Sequence, residues 1–213
     1  MPTQRPTILL TGFGAFPGVG KNATAALVPA LAAGARARFP DFDVIDEVLP
    51  VEWGRTPQLL QQLLSRTSPR LALHFGVTRH ASGFQIERIG RNVCEPRHDA
   101  AGAIPDVACL IADGPETLSS TFPVERIIAR LEGAGLPCAM SDSAGTYLCN
   151  ATLYHSLTIA QTRPTASLAG FVHLPADLAP GMPAVGASRI SWDDALVGSI
   201  EIIAACLEQE TSA

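Results

Sequence analysis

The chain has 213 residues, of which 47% are hydrophobic and only 16% charged, and its formal net charge is −5. A chain of this size can bury one sizeable hydrophobic core, and a weakly acidic surface excludes nucleic-acid binding and docking on an anionic membrane. No apolar run reaches the roughly 18 residues that a membrane helix needs.

The first half of the chain alternates apolar runs with leucines at helical spacing. Apolar runs that end at a glycine are typical of strands buried on both faces. The run 71–75, which we expect to end at Gly76, is the last of these in the first half. The predicted elements, in order, are strand 7–11, helix 23–38, strand 42–51, helix 58–66 and strand 71–75. This alternation favours a single-domain α/β/α sandwich over residues 1–213, with an open, twisted, mostly parallel sheet and helices on both faces.

The second half is less regular. Residues 77–120 mix apolar and charged positions and predict an irregular or hairpin-like excursion. Ser191 and Asp194 have the spacing of a capping box and predict the start of the last helix. The other predicted elements are a helix over 124–131, a buried strand over 137–140, a helix that contains Cys149, a buried strand over 167–174 and a flexible surface loop over 176–187.

Five cysteines occur, at positions 94, 109, 138, 149 and 206, without a Cys-x-x-Cys pair. An odd number without paired spacing is typical of a reduced, intracellular protein and not of a disulfide scaffold. The segment Met1–Thr7 is followed directly by an apolar strand and lacks the longer apolar region that a signal peptide contains. We therefore expect a cytoplasmic protein.

Cys149 lies where a turn becomes a helix. The polar cluster 141–146 comes before it, and Leu148, Leu153 and Leu157 recur at helical spacing around and after it. Unpaired backbone N–H groups and the helix dipole in the first turn stabilise a thiolate, which makes this thiol a candidate nucleophile. A free cysteine on an apolar helix face is more often a small buried hydrophobe, so this position alone leaves both interpretations open.

Three elements are expected to meet at one edge of the sheet. His173 ends a predicted strand, the turn before Cys149 follows another, and Phe13 and Phe16 lie in the loop after the first. Open α/β sheets bind ligands at the carboxyl ends of their strands, so the two aromatic side chains either anchor the loop in the core or form an apolar pocket wall. Glu87 is less distinctive, because it could equally be a surface charge or half of a local ion pair.

The glycine-rich loop also suggests a nucleotide site, which the residues support poorly. A P-loop would need serine or threonine after Gly20-Lys21, where Asn22 stands, and the Rossmann-like spacing Gly18-x-Gly20-x-x-Ala23 begins well after the strand has ended. A metal site is also disfavoured because the candidate histidines lack paired ligand spacing. Those histidines are His74, His80, His98 and His155.

Five segments together carry a resemblance that spans nearly the whole chain. They are Thr11–Phe16, Phe84–Asn92, Asp113–Pro115, Ser143–Asn150 and Phe171–Pro175. In this order they closely resemble the pyroglutamyl peptidase I family, the pyrrolidone-carboxylate peptidases of cysteine peptidase family C15. The segment around the cysteine is the most specific of the five.

The resemblance implies a cysteine omega-peptidase that removes N-terminal pyroglutamate from peptides. In this interpretation Cys149 is the nucleophile that forms a thioester acyl-enzyme, His173 is base and then acid, and Glu87 orients the imidazole. We expect this chemistry to need no metal and no cofactor. Its tetramers suggest that this chain forms a homo-oligomer, either a tetramer or a dimer.

The resemblance also implies a substrate pocket. The cyclic, uncharged pyroglutamyl group suits apolar walls with a few backbone hydrogen bonds. Arg97 falls where bacterial members place an arginine near the developing oxyanion, a role that suits its charge. The residues that match the family's pocket positions are Phe13, Phe16, Asn22, Tyr147 and Leu148.

Three departures from the family pattern bear on specificity. The segment 77–81 replaces a glycine-rich polar run, so a polar group that holds the substrate is missing at Val77. Asp142 replaces a frequent asparagine, and a carboxylate close to the thiol would disfavour the thiolate. His173–Asp177 departs from the usual His-x-Pro-Tyr. The alternative function is therefore the same fold with weak or altered acyl-amide specificity.

Overall fold

The structure is a computed structural model that describes residues 5–16, 18–163, 167–184, 186 and 188–208. Its strands are β1 (Thr7–Phe13), β2 (Asp43–Leu49), β3 (Leu71–Thr78), β4 (Phe84–Glu87), β5 (Ile89–Arg91), β6 (Thr117–Ser119), β7 (Cys138–Ser141) and β8 (Leu168–Pro175). Its helices are α1 (Ala23–Arg38), α2 (Arg55–Thr67), α3 (Val124–Gly133), α4 (Leu148–Gln161) and α5 (Trp192–Leu207).

Six strands form one central sheet in the order β2-β1-β3-β8-β4-β7. The first four strands in this order are parallel to one another, β4 is antiparallel to β8, and β7 is parallel to β4. Strands β5 and β6 form a separate antiparallel pair. The sheet is therefore mixed but mostly parallel, as the sequence predicts.

Helices cover both faces of the sheet. Residues of α1, α3 and α5 pack in one hydrophobic cluster, and those of α2 and α4 pack in another. The strands supply both clusters because successive side chains point to opposite faces: Ile8 belongs to the first and Leu9 to the second. This confirms the predicted single α/β domain with two helical layers. Within the described ranges, no helix is long and apolar enough to span a membrane.

Two predictions about the middle of the chain are wrong. Strand β3 does not end at Gly76 but continues to Thr78. The stretch 77–120 does contain the short β5-β6 pair, yet it also contributes β4 to the central sheet. The sequence of β4 alternates apolar with polar residues, a pattern typical of a strand with one solvated face, whereas Glu87 is fully buried.

The predicted buried strand over 137–140 is in fact the edge strand β7. It pairs only with β4 within the central sheet, and its residues are partly or fully exposed, with Met140 42% exposed. Helix α2 begins earlier than predicted, at Arg55, because a proline such as Pro57 is tolerated in a first helical turn. Part of the predicted loop 176–187 lies outside the described residues, at positions 185 and 187.

The predicted starts of the helix over 23–38 and of the last helix are confirmed. Asn22 caps α1, which continues through Pro29. Ser191 and Asp194 form the reciprocal hydrogen bonds of a capping box at the start of α5.

A buried histidine joins helix α4 to the sheet. His74 Nδ1 lies 2.7 Å from Thr11 Oγ1, and His74 Nε2 lies 2.9 Å from Ser156 Oγ. Complete burial lowers the pKa of His74 to about 3, so the ring is neutral and one of its nitrogens donates while the other accepts. The three side chains connect β1, β3 and α4, and so help hold the helix that carries Cys149 in place.

Candidate active site

The register of the parallel strands brings three positions to one level of the sheet. Gly76 on β3 lies opposite His173 on β8. Phe13 reaches the same level, because Thr11 of β1 pairs with His74, two residues before Gly76. The predicted meeting of the Phe13 loop and His173 at one edge is therefore confirmed.

Cys149 reaches this edge by a different route from the one predicted. Strand β7 runs in the opposite direction to β3 and β8, so its carboxyl end does not lie at their carboxyl edge. The loop 142–147 instead returns the chain so that Cys149, at the start of α4, lies over β3. A Cβ atom built on Gly76 would lie 3.0 Å from Cys149 Sγ and 2.8 Å from Phe171 Cζ. The thiol therefore rests directly against the backbone at Gly76.

His173 and Glu87 meet across the antiparallel boundary between β8 and β4. Glu87 is opposite Phe171 in the register, so His173 is its diagonal neighbour on the same face. His173 Nδ1 donates a hydrogen bond of 2.8 Å to Glu87 Oε1. Both side chains are buried, with Glu87 0% and His173 5% exposed. The centroid of the His173 ring lies 4.8 Å from that of the Phe171 ring.

The imidazole interacts with the thiol and with the carboxylate together. Burial by itself lowers the pKa of His173, but its charge interaction and hydrogen bond with Cys149 and its contacts with Glu87 outweigh that effect and raise the pKa to about 9. The pKa of Glu87 is raised by burial, and the hydrogen bonds and charge of its surroundings, chiefly His173, bring it below the ordinary value. The arrangement therefore favours a protonated imidazole beside the Glu87 carboxylate at neutral pH.

The first turn of α4 is anchored beside the thiol by Asn150. Its side-chain Oδ1 accepts from Arg91 N at 2.9 Å, and its Nδ2 donates to Arg91 O at 2.9 Å and Val93 O at 3.0 Å. Asn150 is fully buried, so these hydrogen bonds satisfy it. They bind the residue after Cys149 to the last residue of β5 and to Val93 just beyond it.

The motif Asp113–Pro115 supports the same helix further along. Tyr154 on α4 donates a hydrogen bond of 2.7 Å from its hydroxyl to Pro115 O. A Cβ atom on Gly114 would lie 2.7 Å from that hydroxyl, so glycine permits the close approach. This motif therefore serves the placement of α4 and does not contact the thiol directly.

Asp142 is paired with an arginine. Arg88 Nε and Nη2 donate to the two oxygens of Asp142 at 2.8 and 2.7 Å. The hydrogen bond and charge of Arg88 hold the pKa of Asp142 below its usual value, so the carboxylate stays ionised with its charge compensated. The carboxylate that was expected to act on the thiol is therefore engaged by Arg88.

Comparisons with known proteins agree on one family. A family model described as pyroglutamyl peptidase matches residues 6–205. The chain is 33% identical over 205 residues to a pyrrolidone-carboxylate peptidase of Vibrio vulnificus, which covers 95% of this chain and 93% of the relative. It is 32% identical over 169 residues to one of Pyrococcus furiosus, which covers 79% of this chain and 80% of the relative. The chain belongs to the pyroglutamyl peptidase family.

A solved structure supports the same assignment. A mutant pyrrolidone carboxyl peptidase from Pyrococcus furiosus matches with a TM-score of 0.84 at 29% sequence identity, and the match covers 94% of this chain and 98% of that chain. The resemblance read from the five sequence segments is thereby confirmed. The fold of this pyroglutamyl peptidase family member is the fold of that structure.

Four of the residues that match the family's pocket positions form apolar and aromatic contacts near the thiol. Phe13 is 2% exposed with its ring centroid 6.4 Å from that of Phe171, and Leu148 is buried in the core at the start of α4. Phe16 and Tyr147 are half-buried, with ring centroids 6.2 Å apart. In this family member Phe13 and Leu148 belong to the cluster of α2 and α4, and Phe16, Tyr147 and Cys149 pack against that cluster. We call the four pocket residues together the aromatic surface.

Asn22, the fifth of these residues, is occupied within its own loop. Its Oδ1 accepts from Thr24 N at 3.1 Å and from Thr24 Oγ1 at 2.8 Å, and its Nδ2 donates to Gly14 O at 3.2 Å. The structure therefore places Asn22 where it holds the Phe13 loop on the start of α1.

Arg97 lies over Tyr147. Its guanidinium carbon is 5.0 Å from the centroid of the Tyr147 ring, and its side chain is exposed. The Trp53 ring makes an edge contact with the Tyr147 ring, with the two centroids 5.2 Å apart. Trp53 Nε1 also donates to Arg97 O at 2.9 Å. Arg97 thus borders the aromatic surface, and Trp53 is a neighbour that sequence reasoning did not single out.

Sequence reasoning also missed Gly76 and Gln85. Gly76 was interpreted as the end of a strand, whereas it provides the space that the thiol occupies. Gln85 was not singled out from the sequence, and it donates to Glu87 Oε1 at 2.8 Å. The contact of Glu87 with His173 depends on the pairing of β4 with β8, which no local sequence pattern encodes.

Substituting Gly76 with alanine should reduce kcat/KM by about tenfold or more, because the new methyl group displaces Cys149 Sγ from its place beside His173. Steady-state kinetics on a pyroglutamyl amide measure the effect. Gly133→Ala is the matched control, since a Cβ there meets nothing within 4 Å. An unchanged rate in Gly76→Ala would show that the thiol does not need this close approach.

Proposed function

We propose that this chain is a cysteine omega-peptidase that removes N-terminal pyroglutamate from peptides through Cys149, His173 and Glu87. One observation carries the proposal: His173 hydrogen-bonds to the thiol of Cys149 on one side and to the buried carboxylate of Glu87 on the other. The chain that holds them is a member of the pyroglutamyl peptidase family. A nucleophile, its base and an orienting group in this order are what acyl transfer requires.

Acylation begins with the ion pair. His173 holds the thiol proton, and Cys149 Sγ attacks the carbonyl carbon that joins pyroglutamate to the next residue. The carbon–sulfur bond forms as the carbonyl electrons move to oxygen, and the His173 imidazolium then gives its proton to the departing amine as the amide bond breaks. Glu87 stabilises the imidazolium through Nδ1 and keeps the other ring nitrogen toward the sulfur.

Deacylation reverses the roles of the ring. Neutral His173 takes a proton from water as the water oxygen attacks the thioester carbonyl, and the proton then returns to the departing thiolate or the ion pair re-forms. Free pyroglutamate leaves, and the enzyme is restored. In this proposal Arg97, at the border of the site, supports the negative charge that develops on the carbonyl oxygen.

The proposed substrate pocket is the aromatic surface formed by Phe13, Phe16 and Tyr147 with Leu148. Apolar walls suit an uncharged lactam ring and give no advantage to a charged N-terminal amine. Asn22 contributes by holding the loop that carries the two phenylalanines.

The wider setting is also part of the proposal. The chain acts over residues 1–213 as one peptidase domain and forms a homo-oligomer. All five cysteines are free thiols, which fits a reducing compartment such as the cytoplasm. The substrates are peptides that carry N-terminal pyroglutamate.

Two alternatives have less support. Altered acyl-amide specificity was suggested by Val77, but Val77 packs against the cluster of α1, α3 and α5, on the opposite face from Gly76 and the thiol. Its side chain therefore does not replace a group on the face of the thiol. Nucleotide binding at the glycine loop is disfavoured because the first turn of α1 is already capped by Asn22.

The proposed function is tested with three chromogenic amides that differ only in the acyl group: pyroglutamyl, prolyl and glutaminyl. We expect hydrolysis of the pyroglutamyl amide alone, and mass spectrometry of an acid-quenched reaction should find the pyroglutamyl group on the peptide that contains Cys149. Equal rates on all three amides, or no adduct on Cys149 during turnover, would contradict the proposal. A rise in melting temperature with ATP or NAD would instead favour the nucleotide site.

A further inference from the structure

Gln85 lies beside the carboxylate that orients the imidazole. In the antiparallel register Gln85 is directly opposite His173, and Glu87, two residues further along β4, is on the same face. Gln85 Nε2 donates a hydrogen bond of 2.8 Å to Glu87 Oε1, the same oxygen that accepts from His173 Nδ1 at 2.8 Å. Two donors from different strands therefore converge on one carboxylate oxygen.

We propose that Gln85 is a positioning residue of this site, whose amide holds Glu87 Oε1 toward His173 and shields that oxygen from solvent. The inference deepens the proposed function, on which it rests. Gln85 acts through Glu87 and does not contact the thiol or the substrate.

The two oxygens of Glu87 are held unequally. Oε1 accepts both hydrogen bonds, while Oε2 is buried without a hydrogen-bond partner among the residues that the structure describes. The terminal torsion of a glutamate is broad, so a carboxylate held by a single donor can rotate and change the direction of that bond. A second donor at Oε1 from the same strand limits this rotation and keeps the oxygen aimed at Nδ1.

Gln85 also lies between Glu87 and a surface cavity. The cavity has a volume of about 440 Å³, and Gln85 lines it together with His80, Arg189 and Cys138. Glu87 does not line this cavity and is 0% exposed. Water that reached Oε1 would compete with His173 for it and weaken their interaction by raising the local dielectric constant.

The groups that face Glu87 come from three strands. They are His173 from β8, Gln85 from β4 itself and the hydroxyl of Ser141 from β7, and all three lower the pKa of Glu87 against the effect of burial. Ser141 donates its own hydrogen toward Ser143 O. Arg88, the next residue along the chain, is directed to Asp142. Ser141 and Gln85 are therefore the uncharged groups that lower the pKa of Glu87, and Gln85 is the one whose amide donates a hydrogen bond of 2.8 Å to the carboxylate.

The test compares Gln85→Leu, which keeps the bulk without the donor, with Gln61→Leu, the same change at an exposed position on α2. For Gln85→Leu we expect kcat to fall about tenfold with KM nearly unchanged, because the imidazole is less well oriented while substrate contacts remain. The acid limb of the kcat/KM profile should move to higher pH, because Glu87 loses a hydrogen bond that favours its charged form. Gln61→Leu should match the wild type in both respects.

A second pair of variants tests shielding separately. Gln85→Ala removes the donor and also opens the path from the cavity. The Nδ1–H proton of His173 should therefore exchange with water faster in Gln85→Ala than in Gln85→Leu. The NMR signal of this proton is assigned by its loss in His173→Gln. Equal exchange in the two variants would overturn the shielding part of the proposal.

Other outcomes are also decisive. If Gln85→Leu does not fold, Gln85→Glu carries the test, because it keeps the shape and places a second carboxyl group beside Glu87, which should also move the acid limb to higher pH. A wild-type kcat and acid limb in the folded variant would overturn the role of Gln85, as would an effect confined to KM. Failure of the wild-type protein to hydrolyse pyroglutamyl amides would instead contradict the proposed function.

Discussion

Replacing Cys149 with serine should reduce kcat for a pyroglutamyl amide by about 10⁴-fold or more, while the protein stays folded. A serine hydroxyl is a far weaker acid than a thiol, so His173 cannot hold it as an anion in the ground state. The change replaces sulfur with a smaller oxygen in the space over Gly76, where no Cβ competes for room. Steady-state kinetics and the melting temperature measure the two parts of this prediction.

Cys109→Ser is the matched control, since Cys109 is a free and exposed thiol away from the imidazole. This control should retain the wild-type rate. It should also remain sensitive to iodoacetamide, because the reactive sulfur is still present at Cys149. If Cys149→Ser kept the wild-type rate, or if alkylation of Cys149 left turnover intact, the sulfur would not be the nucleophile.

Replacing Glu87 with glutamine should lower kcat by about 10²- to 10⁴-fold, because the amide no longer stabilises the imidazolium and does not select one ring tautomer. The alkaline limb of the rate profile should also move. The pKa of His173 is raised to about 9, with Glu87 among the causes, so its removal should bring that limb to lower pH. Glu116→Gln, at an exposed position, is the control and should leave the profile unchanged.

The protonation of His173 also changes the free energy of unfolding with pH, and the raised pKa of His173 sets the sign of the change. His173 binds its proton more tightly in the folded state than in the unfolded chain, where its pKa is near 6.5. This contribution to the free energy of unfolding is complete below about pH 6.5 and is lost as the pH rises through about 9. The melting temperature should therefore fall over this interval in the wild type and fall less in Glu87→Gln. An equal fall in both proteins would show that Glu87 does not raise the pKa of His173.

Much of the fold follows from local patterns. Continuous apolar runs such as Leu71–Phe75 are typical of central strands, and the leucines around Cys149 place it correctly in the first turn of a helix. The five segments that carry the family resemblance name all three members of the proposed triad. Family membership, confirmed by the comparisons, was therefore accessible from sequence.

The details of the site were less accessible, because they depend on pairing between distant parts of the chain. Glu87 and His173 are 86 residues apart, and an alternating segment such as Phe84–Glu87 does not show which partner covers its polar face. The role of Gly76 depends on where a helix crosses the sheet, which composition cannot indicate. Asp142 was expected to act on the thiol, whereas its carboxylate is paired with Arg88, which lies 54 residues away in the sequence.

The one change of strand direction between neighbours in the central sheet coincides with the proposed chemistry. Imidazole and carboxylate belong to β8 and β4, which are joined by three register pairs. In the described part of the chain, the sheet ends beyond β4 with the four-residue edge strand β7. Short strands at a sheet margin detach at a lower free energy than central ones. Fraying at this margin would carry Glu87 away from His173 while the four parallel strands stay together. We therefore expect catalytic activity to be lost below the temperature at which the whole protein unfolds.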